Sequence, residues 1–394
     1  MLILRTRFYS FEINKVLLTV VFAWSFLSGL GVYFNDLNEY GEFALTSFQV
    51  LLGDFLILFI IVAIVMMNCK NRKLFVLNKF EISLWFFVII SIFASVKGFF
   101  SWGLNEYVHF FLRNQIYYII VGYIVYSVAK EFDKIFFEKL FRFAFFSNFI
   151  ISLALFALEF FDGFNGKYLW GGTRLCGTLI NHNNYGFISV FFLFWSYFSD
   201  MNHKWIMVFI SFVLIMASGS LTAVSSLLFL MFISPRVFLF YVVIALFSIL
   251  FFWEDLSKIH LIYKVTEVLL NEDTHLTSAS ARINQLEFVR DLLVNVFNWP
   301  IGILDSHGYL RFDSQYYNLI VNLGVVSFCS FLCVAVYAIF YTKKNHFKLF
   351  VFWLFVIAFS LTAFMSRWNV IIIIFFILAY FHSSKNTCIV SKSN

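Results

Sequence analysis

The pattern of hydrophobic and polar positions divides the chain into long apolar runs separated by short polar links. A run of roughly 17 to 25 apolar residues can cross a bilayer as a helix, and backbone groups inside lipid must bond within their own segment. The runs therefore predict an all-α polytopic membrane protein with about twelve transmembrane helices. The predicted spans cover roughly 16–33, 46–67, 82–102, 111–129, 143–161, 184–199, 205–218, 220–233, 237–252, 315–341, 349–365 and 369–382.

A long polar segment late in the chain separates two groups of predicted spans. We divide the chain into a bundle of about nine spans over 1–252, a large outer loop over 253–314, and the last three spans with a tail over 315–394. The first unit includes a short outer loop at 162–183. The large loop carries a concentration of Arg, Asp, Glu and His and contains a predicted amphipathic helix.

The composition excludes a soluble globule, because 62% of the residues are hydrophobic, 13% are charged and the mean hydropathy is +0.87. The net charge of +6 comes mostly from Lys and Arg in the short links. It therefore indicates membrane topology rather than a nucleic-acid partner. Since the basic residues concentrate in alternate links, we expect both termini in the cytoplasm and the polar segments 171–186 and 253–314 on the outer face.

The polar run at 171–186 carries Arg174 and Asn183 directly before a predicted span. The planar guanidinium of an arginine suits phosphate oxygens, and the amides and imidazole behind Arg174 can bind hydroxyls or a diphosphate. The alternative is an Asn-rich turn that caps the following helix, with Arg174 simply solvated. The sequence leaves both interpretations open.

The predicted loop helix runs from about Ser280 to Asn298 and ends before Pro300. A helical projection places Arg282 inside its apolar arc and Arg290 at the edge of that arc. An arginine beside a helix N-terminus suits an anionic group at the membrane surface. Extension of Arg282 to lipid phosphates is the alternative.

Acidic, imidazole and aromatic side chains precede the tenth predicted span. A carboxylate or imidazole at a membrane rim, here Asp313 or His307, can act as a general base toward a sugar hydroxyl. Asp313 is equally well placed to cap the following helix. Tyr316 lies one turn further on. No closed metal site matches the spacing of these residues.

Arg113 lies near the outer end of the fourth predicted span. An arginine in lipid costs about 2.5 kcal/mol or more, so we expect Arg113 either to face the bundle interior or to extend to the headgroups.

Together these motifs resemble the family of bacterial O-antigen polymerases and O-antigen ligases, polytopic proteins with one large periplasmic loop. The resemblance covers about Arg174 to Val326. The matching residues are Arg174, Gly177 and Asn183; Ser218-Gly219-Ser220-Leu221-Thr222-Ala223; Ser280-Ala281-Arg282 with Pro300-Ile301-Gly302; and Asp313 with Gly324. The ligases typically carry His at the position of Asp313, so this chain is more similar to the polymerases.

The resemblance implies a glycosyltransferase of lipopolysaccharide biosynthesis in the bacterial inner membrane, which joins undecaprenyl diphosphate-linked oligosaccharide repeat units. No nucleotide sugar, metal or other cofactor is implied. Membrane lipids and a chain-length regulator protein are expected partners.

The expected roles follow from the chemistry of losing a diphosphate. Arg174 and Arg282 would stabilise the leaving group, with Arg290 and Arg113 as lesser candidates. Asp313, ahead of His307, would be the base. The sugar or diphosphate would be oriented by Asn183 and Tyr316.

Two other functions remain open. The first is an O-antigen ligase, which would transfer the polymer to lipid A core. The second is a flippase or other transporter of lipid-linked oligosaccharides, which would also need basic residues for diphosphate.

Overall fold

The computed structural model of the protein describes residues 2–27, 47–69, 77–102, 112–163, 174–179, 181–199, 203–220, 222–227, 235, 239, 314–362 and 368–383. Over these residues the fold is all-helical and contains no β-strand. Of the large loop predicted at 253–314, residues 253–313 lie outside the described residues, so its helix and its arginines stay predictions.

The helices follow the apolar runs along the chain, except that the first helix begins at Leu2, well before the predicted start at 16. Their bounds are α1 Leu2–Leu27, α2 Ser47–Cys69, α3 Lys79–Trp102, α4 Tyr118–Ala129, α5 Lys134–Phe161, α6 His182–Phe198, α7 Lys204–Ser218, α8 Gln315–Tyr341, α9 Asn345–Leu361 and α10 Trp368–His382. A short helical stretch at 222–227 follows α7.

Helix α5 begins ahead of the predicted start at 143. The added turns are amphipathic, since Phe137 and Phe141 are buried while Lys139 and Arg142 are charged and exposed. A search for uninterrupted apolar residues stops at such charges, whereas a helix continues through them when one face remains apolar.

The outer surface of the bundle is apolar. Helices α3, α5 and α8 are long and apolar enough to cross a membrane, and α2, α4, α7, α9 and α10 are shorter apolar helices. The exposed large apolar side chains of α3 and α5 include Phe86, Ile89, Phe93, Phe143, Phe146, Ile150 and Leu153. Exposed apolar surface of this extent is typical of a membrane or protein interaction surface. The predicted all-α class is confirmed over the described residues, three of whose helices could cross a membrane, and the number of about twelve spans stays a prediction.

Helices α6 and α10 form the centre of the bundle. Both are hydrophobic around their whole circumference, and all residues of α10 from Val370 to Phe381 are buried. The rings of Phe191 on α6 and Phe381 on α10 are in contact, with centroids 6.3 Å apart. A helix that is apolar on every side is stable only when neighbours enclose it.

Contacts between helix ends show which ends of neighbouring helices lie together. Lys130, after α4, forms an ion pair with Glu81 at the start of α3. Near them, the hydroxyl of Tyr126 and Nδ1 of His382 are 2.8 Å apart, which brings the end of α10 to the same level. The described basic residues near this end of the helices, hereafter the basic end, are Lys15, Lys79, Lys130, Lys134, Lys139, Arg142, Lys204, Lys343, Lys344 and Lys348.

Irregular backbone occurs in the half of the bundle away from the basic end. π-helical turns lie at Leu112–Tyr117 before α4, at Leu319–Leu323 in α8 and at Trp353–Ala358 in α9. Directly after the second of these turns, Gly324 has φ +86° and ψ 171°, a conformation essentially restricted to glycine. The glycine of the fourth motif is therefore required by the interruption of α8.

Candidate functional site

Arg174 lies half-buried at the end of the bundle opposite the basic end. Its position is fixed by the main chain, because the N–H of Leu175 donates to the carbonyl oxygen of Ala217 at 3.0 Å. Nη1 of Arg174 donates to Nε2 of His182 on α6 at 3.3 Å. The guanidinium is thereby held beside the first turn of α6 and the last turn of α7.

A glycine at the end of α7 makes room for the Arg174 side chain. Gly219 has φ +60°, and a Cβ built on it would lie 3.2 Å from Cγ of Arg174. Any other residue would strain the backbone and press on the aliphatic part of the arginine. The Ser-Gly-Ser motif therefore positions the arginine of the first motif.

The first and second motifs also meet through their side chains. The hydroxyl of Ser220 donates to Oδ1 of Asn183 at 2.8 Å. A Cβ on Gly186 would lie 2.7 Å from Cβ of Ala223, so only glycine lets α6 approach this segment so closely. Arg174, His182, Asn183, Gly219 and Ser220 make up what we call the Arg174 cluster.

The first turn of α6 is capped by an asparagine. Oδ1 of Asn181 accepts hydrogen bonds from the N–H groups of Asn183 at 2.8 Å and Asn184 at 3.4 Å. The helix begins at His182, before the predicted start at 184, because this cap satisfies amides that would otherwise be unpaired. The predicted capping role of this run is confirmed, Arg174 is packed rather than simply solvated, and the predicted binding of phosphate or hydroxyls stays a prediction.

The charge of Arg174 is not neutralised by any carboxylate of the described residues within ion-pair distance. Burial lowers the pKa of this guanidinium from its ordinary value, because desolvation disfavours the charged form. Arginine still remains protonated in proteins. A half-buried guanidinium without a described carboxylate partner is suited to an anion with two or more oxygens.

Polar side chains of α5 lie beneath the segment that carries Arg174. The hydroxyls of Tyr185 and Ser152 are 2.7 Å apart. One turn away, Asn148 lies so close to Gly177, which has φ +51°, that a Cβ there would be 2.8 Å from its Oδ1. Asn148 and Ser152 were not selected from the sequence, although two polar residues four apart in an apolar run indicate a buried polar face.

Arg113 faces the bundle rather than the headgroups. Its Nε and Nη2 donate to the two carboxylate oxygens of Asp54 on α2, at 2.6 and 2.9 Å. Tyr118 donates to the same carboxylate, and the hydroxyl of Tyr117 donates to the carbonyl oxygen of Asp54 at 3.2 Å. Asp54 was not selected from the sequence, although a lone acid in an apolar run indicates a buried partner. The predicted role of Arg113 toward diphosphate stays a prediction.

The tenth predicted span begins with a serine cap. Oγ of Ser314 accepts a hydrogen bond from the N–H of Tyr317, so the capping role considered for Asp313 belongs to the next residue. The hydroxyl of Tyr316 donates to the carbonyl oxygen of Phe355 in the π-helical turn of α9. Tyr316 therefore ties α8 to α9, and its predicted contact with substrate stays a prediction.

The other predicted site residues lie outside the described residues. They are Arg282, Arg290, His307 and Asp313. The convergence of Arg174 and Arg282 on one leaving group therefore stays a prediction.

Comparison with known proteins finds no match. No family model, no curated protein and no solved structure matches this chain. The motif resemblance thus gains no support from overall similarity, and the Arg174 cluster is the main structural basis for a function.

Proposed function

We propose that this chain is a membrane-embedded glycosyltransferase, an O-antigen polymerase that joins undecaprenyl diphosphate-linked oligosaccharide repeat units. The observation that supports this most is the Arg174 cluster. There, two separate polar motifs of the resemblance meet around a half-buried guanidinium, which has no described carboxylate within ion-pair distance. A diphosphate is a ligand that such a group binds well.

The proposed reaction forms one glycosidic bond and breaks one bond to phosphate. A hydroxyl oxygen of the acceptor repeat attacks the anomeric carbon of the donor chain. The bond from that carbon to the diphosphate oxygen breaks, and undecaprenyl diphosphate leaves with the electron pair. The hydroxyl proton passes to a base, for which Asp313 is preferred to His307.

Stabilising the leaving diphosphate is the task of the arginines. Charge develops on the diphosphate oxygens as the bond breaks, and fixed donors lower the energy of that state. Arg174 and Arg282 take this role, with Arg290 and Arg113 as lesser candidates. Asn183 and Tyr316 orient the sugar or the diphosphate. The resemblance adds membrane lipids and a chain-length regulator protein as partners.

The proposed topology has about twelve spans with both termini in the cytoplasm. The described basic residues that gather at the basic end support assigning that end to the cytoplasm of the bacterial inner membrane. The Arg174 cluster then faces the periplasm, where lipid-linked repeat units would be joined.

Two measurements test this function. Deleting the gene from its host should leave lipid A core bearing a single repeat, as seen by gel analysis of lipopolysaccharide. The purified chain in detergent should elongate lipid-linked repeat units extracted from the deletion strain. Loss of every attached repeat would instead indicate a ligase. Purified protein that moves lipid-linked units across vesicles without elongating them would indicate a transporter.

Replacing Gly219 by alanine should reduce elongation through Arg174. Alanine at φ +60° costs about 1 to 2 kcal/mol and its Cβ would press on the arginine side chain. Gly163 offers a matched control, since it has φ +76° and a Cβ added to it would meet nothing within 4 Å. Both variants should lose the stability that the left-handed backbone costs, Gly219→Ala at least as much as Gly163→Ala, and only Gly219→Ala should shorten the polymer. Equal polymer lengths in both variants would remove Gly219 from the site.

A further inference from the structure

Asn184 presents a buried amide nitrogen for which the described residues supply no partner. The residue is only 2% exposed, and its Nδ2 makes no hydrogen bond within the described part of the chain. It lies in the first turn of α6, next to Asn183 of the Arg174 cluster. A buried donor without a partner costs free energy, so its presence needs an explanation.

The amide faces a different side of α6 from the Arg174 cluster. Asn184 lies seven residues before Phe191 and eleven before Trp195, which places all three on one face of the helix. Phe191 contacts Phe381 of α10, and Trp195 contacts Phe141 of α5, with centroids 6.3 and 5.7 Å apart. Asn184 therefore faces the bundle interior, whereas Asn183 faces Ser220.

The apolar face of α6 on which Asn184 lies favours an uncharged ligand group. The side chains that follow Asn184 along it, Ile188, Phe191 and Trp195, are apolar and buried, so an ionised group there would lose its hydration without gaining a charged partner. An uncharged oxygen can accept the amide proton without that cost. The anionic part of a substrate is better served by Arg174, on the other side of the same turn.

We propose that Asn184 is a substrate-binding residue whose Nδ2 donates to an uncharged oxygen, a hydroxyl or carbonyl, of the sugar portion of the lipid-linked substrate. This inference rests on the proposed function. The first turn of α6 then separates two subsites, one for diphosphate at Arg174 and one for sugar at Asn184.

The test uses Asn184→Leu and Asn184→Ala with a matched control on the same helix. Ser196 of α6 is also fully buried, and its Oγ also finds no partner among the described residues. Ser196→Ala therefore removes a comparable group near the basic end of the helix, away from the Arg174 cluster. The full-length proteins are compared in nanodiscs for thermal midpoint, for binding of undecaprenyl diphosphate, and for elongation of lipid-linked repeat units extracted from the deletion strain.

We expect the thermal midpoints of the Asn184→Leu and Ser196→Ala proteins to equal or exceed that of the unmodified protein, since each loses a buried unpaired group. Both Asn184 variants should need about tenfold more repeat unit for half-maximal elongation, while binding of bare undecaprenyl diphosphate stays unchanged. Ser196→Ala should change neither quantity. Arg174→Ala should show the opposite selectivity, with loss of bare diphosphate binding.

Three results would overturn the inference. Asn184 variants that elongate like the unmodified protein would show that the amide has no ligand. Equal loss of affinity for bare undecaprenyl diphosphate would place it in the phosphate subsite. If the unmodified protein neither binds undecaprenyl diphosphate nor elongates repeat units, the proposed function fails and this inference fails with it. In the first two cases only the inference fails, and the proposed function stands.

Discussion

Replacing Arg174 by alanine is expected to convert a laddered lipopolysaccharide into lipid A core that bears a single repeat. Removing one preorganised donor to developing charge typically lowers the rate by a factor of about 100 to 1,000. Arg174 is the described guanidinium that is half-buried and has no described carboxylate within ion-pair distance. Arg282→Ala should give the same phenotype if that residue shares the leaving group.

The substitution Arg174→Lys separates charge from geometry. A lysine keeps the positive charge but offers a point charge in place of a planar fork, so we expect a partial ladder. Arg142, an exposed arginine of α5 near the basic end, provides the control, and Arg142→Ala should leave the ladder intact. The protein level in the membrane is measured by immunoblot for each variant. A full ladder with Arg174→Ala at normal protein level would remove the catalytic assignment.

The helices were predictable because membrane spans are specified by long apolar runs. The described helices at 47–69, 315–341 and 368–382 begin and end within a few residues of the predicted bounds. Helix α5 was predicted too short, because its first turns are amphipathic. Charged residues on one face interrupt the apolar run there, although the helix continues through them. Long apolar runs thus predict where helices lie, but helical periodicity is needed to find their ends.

The candidate site was predictable only in part. The residues Arg174, Asn183 and Ser220 could be selected from the sequence as polar positions in an apolar chain, and they do lie together. The partners that support them could not, since the contact of Asn148 with Gly177 depends on how α5 packs. Which face of α6 Asn184 occupies likewise follows only from the neighbours of that helix.

Removing the carboxylate of Asp54 is expected to cost more stability than the substitutions at Gly219 or Asn184. Asp54→Ala would leave Arg113 without its charged partner, and breaking a buried ion pair costs about 3 to 5 kcal/mol. The side chains of Asp54 and Arg113 are 26% and 19% exposed, so solvent screening should lower the cost to about 2 to 3 kcal/mol. The measurement is the unfolding midpoint of the purified protein in detergent. The control is Glu12→Ala, which breaks the exposed pair of Glu12 with Lys15 and should cost less than about 0.5 kcal/mol.

The double variant Asp54→Ala with Arg113→Ala distinguishes an ion pair that holds the fold from an arginine that binds substrate. If Arg113 serves only to hold α4 against α2, the double variant should be more stable than either single variant, because it buries no unpaired charge. It should then also retain polymer elongation. If Arg113 binds the diphosphate, the double variant should lose elongation even where its stability recovers. Additive losses of stability would instead mean that the two side chains are not coupled, and the contact of Arg113 with Asp54 would not explain why an arginine lies within this span.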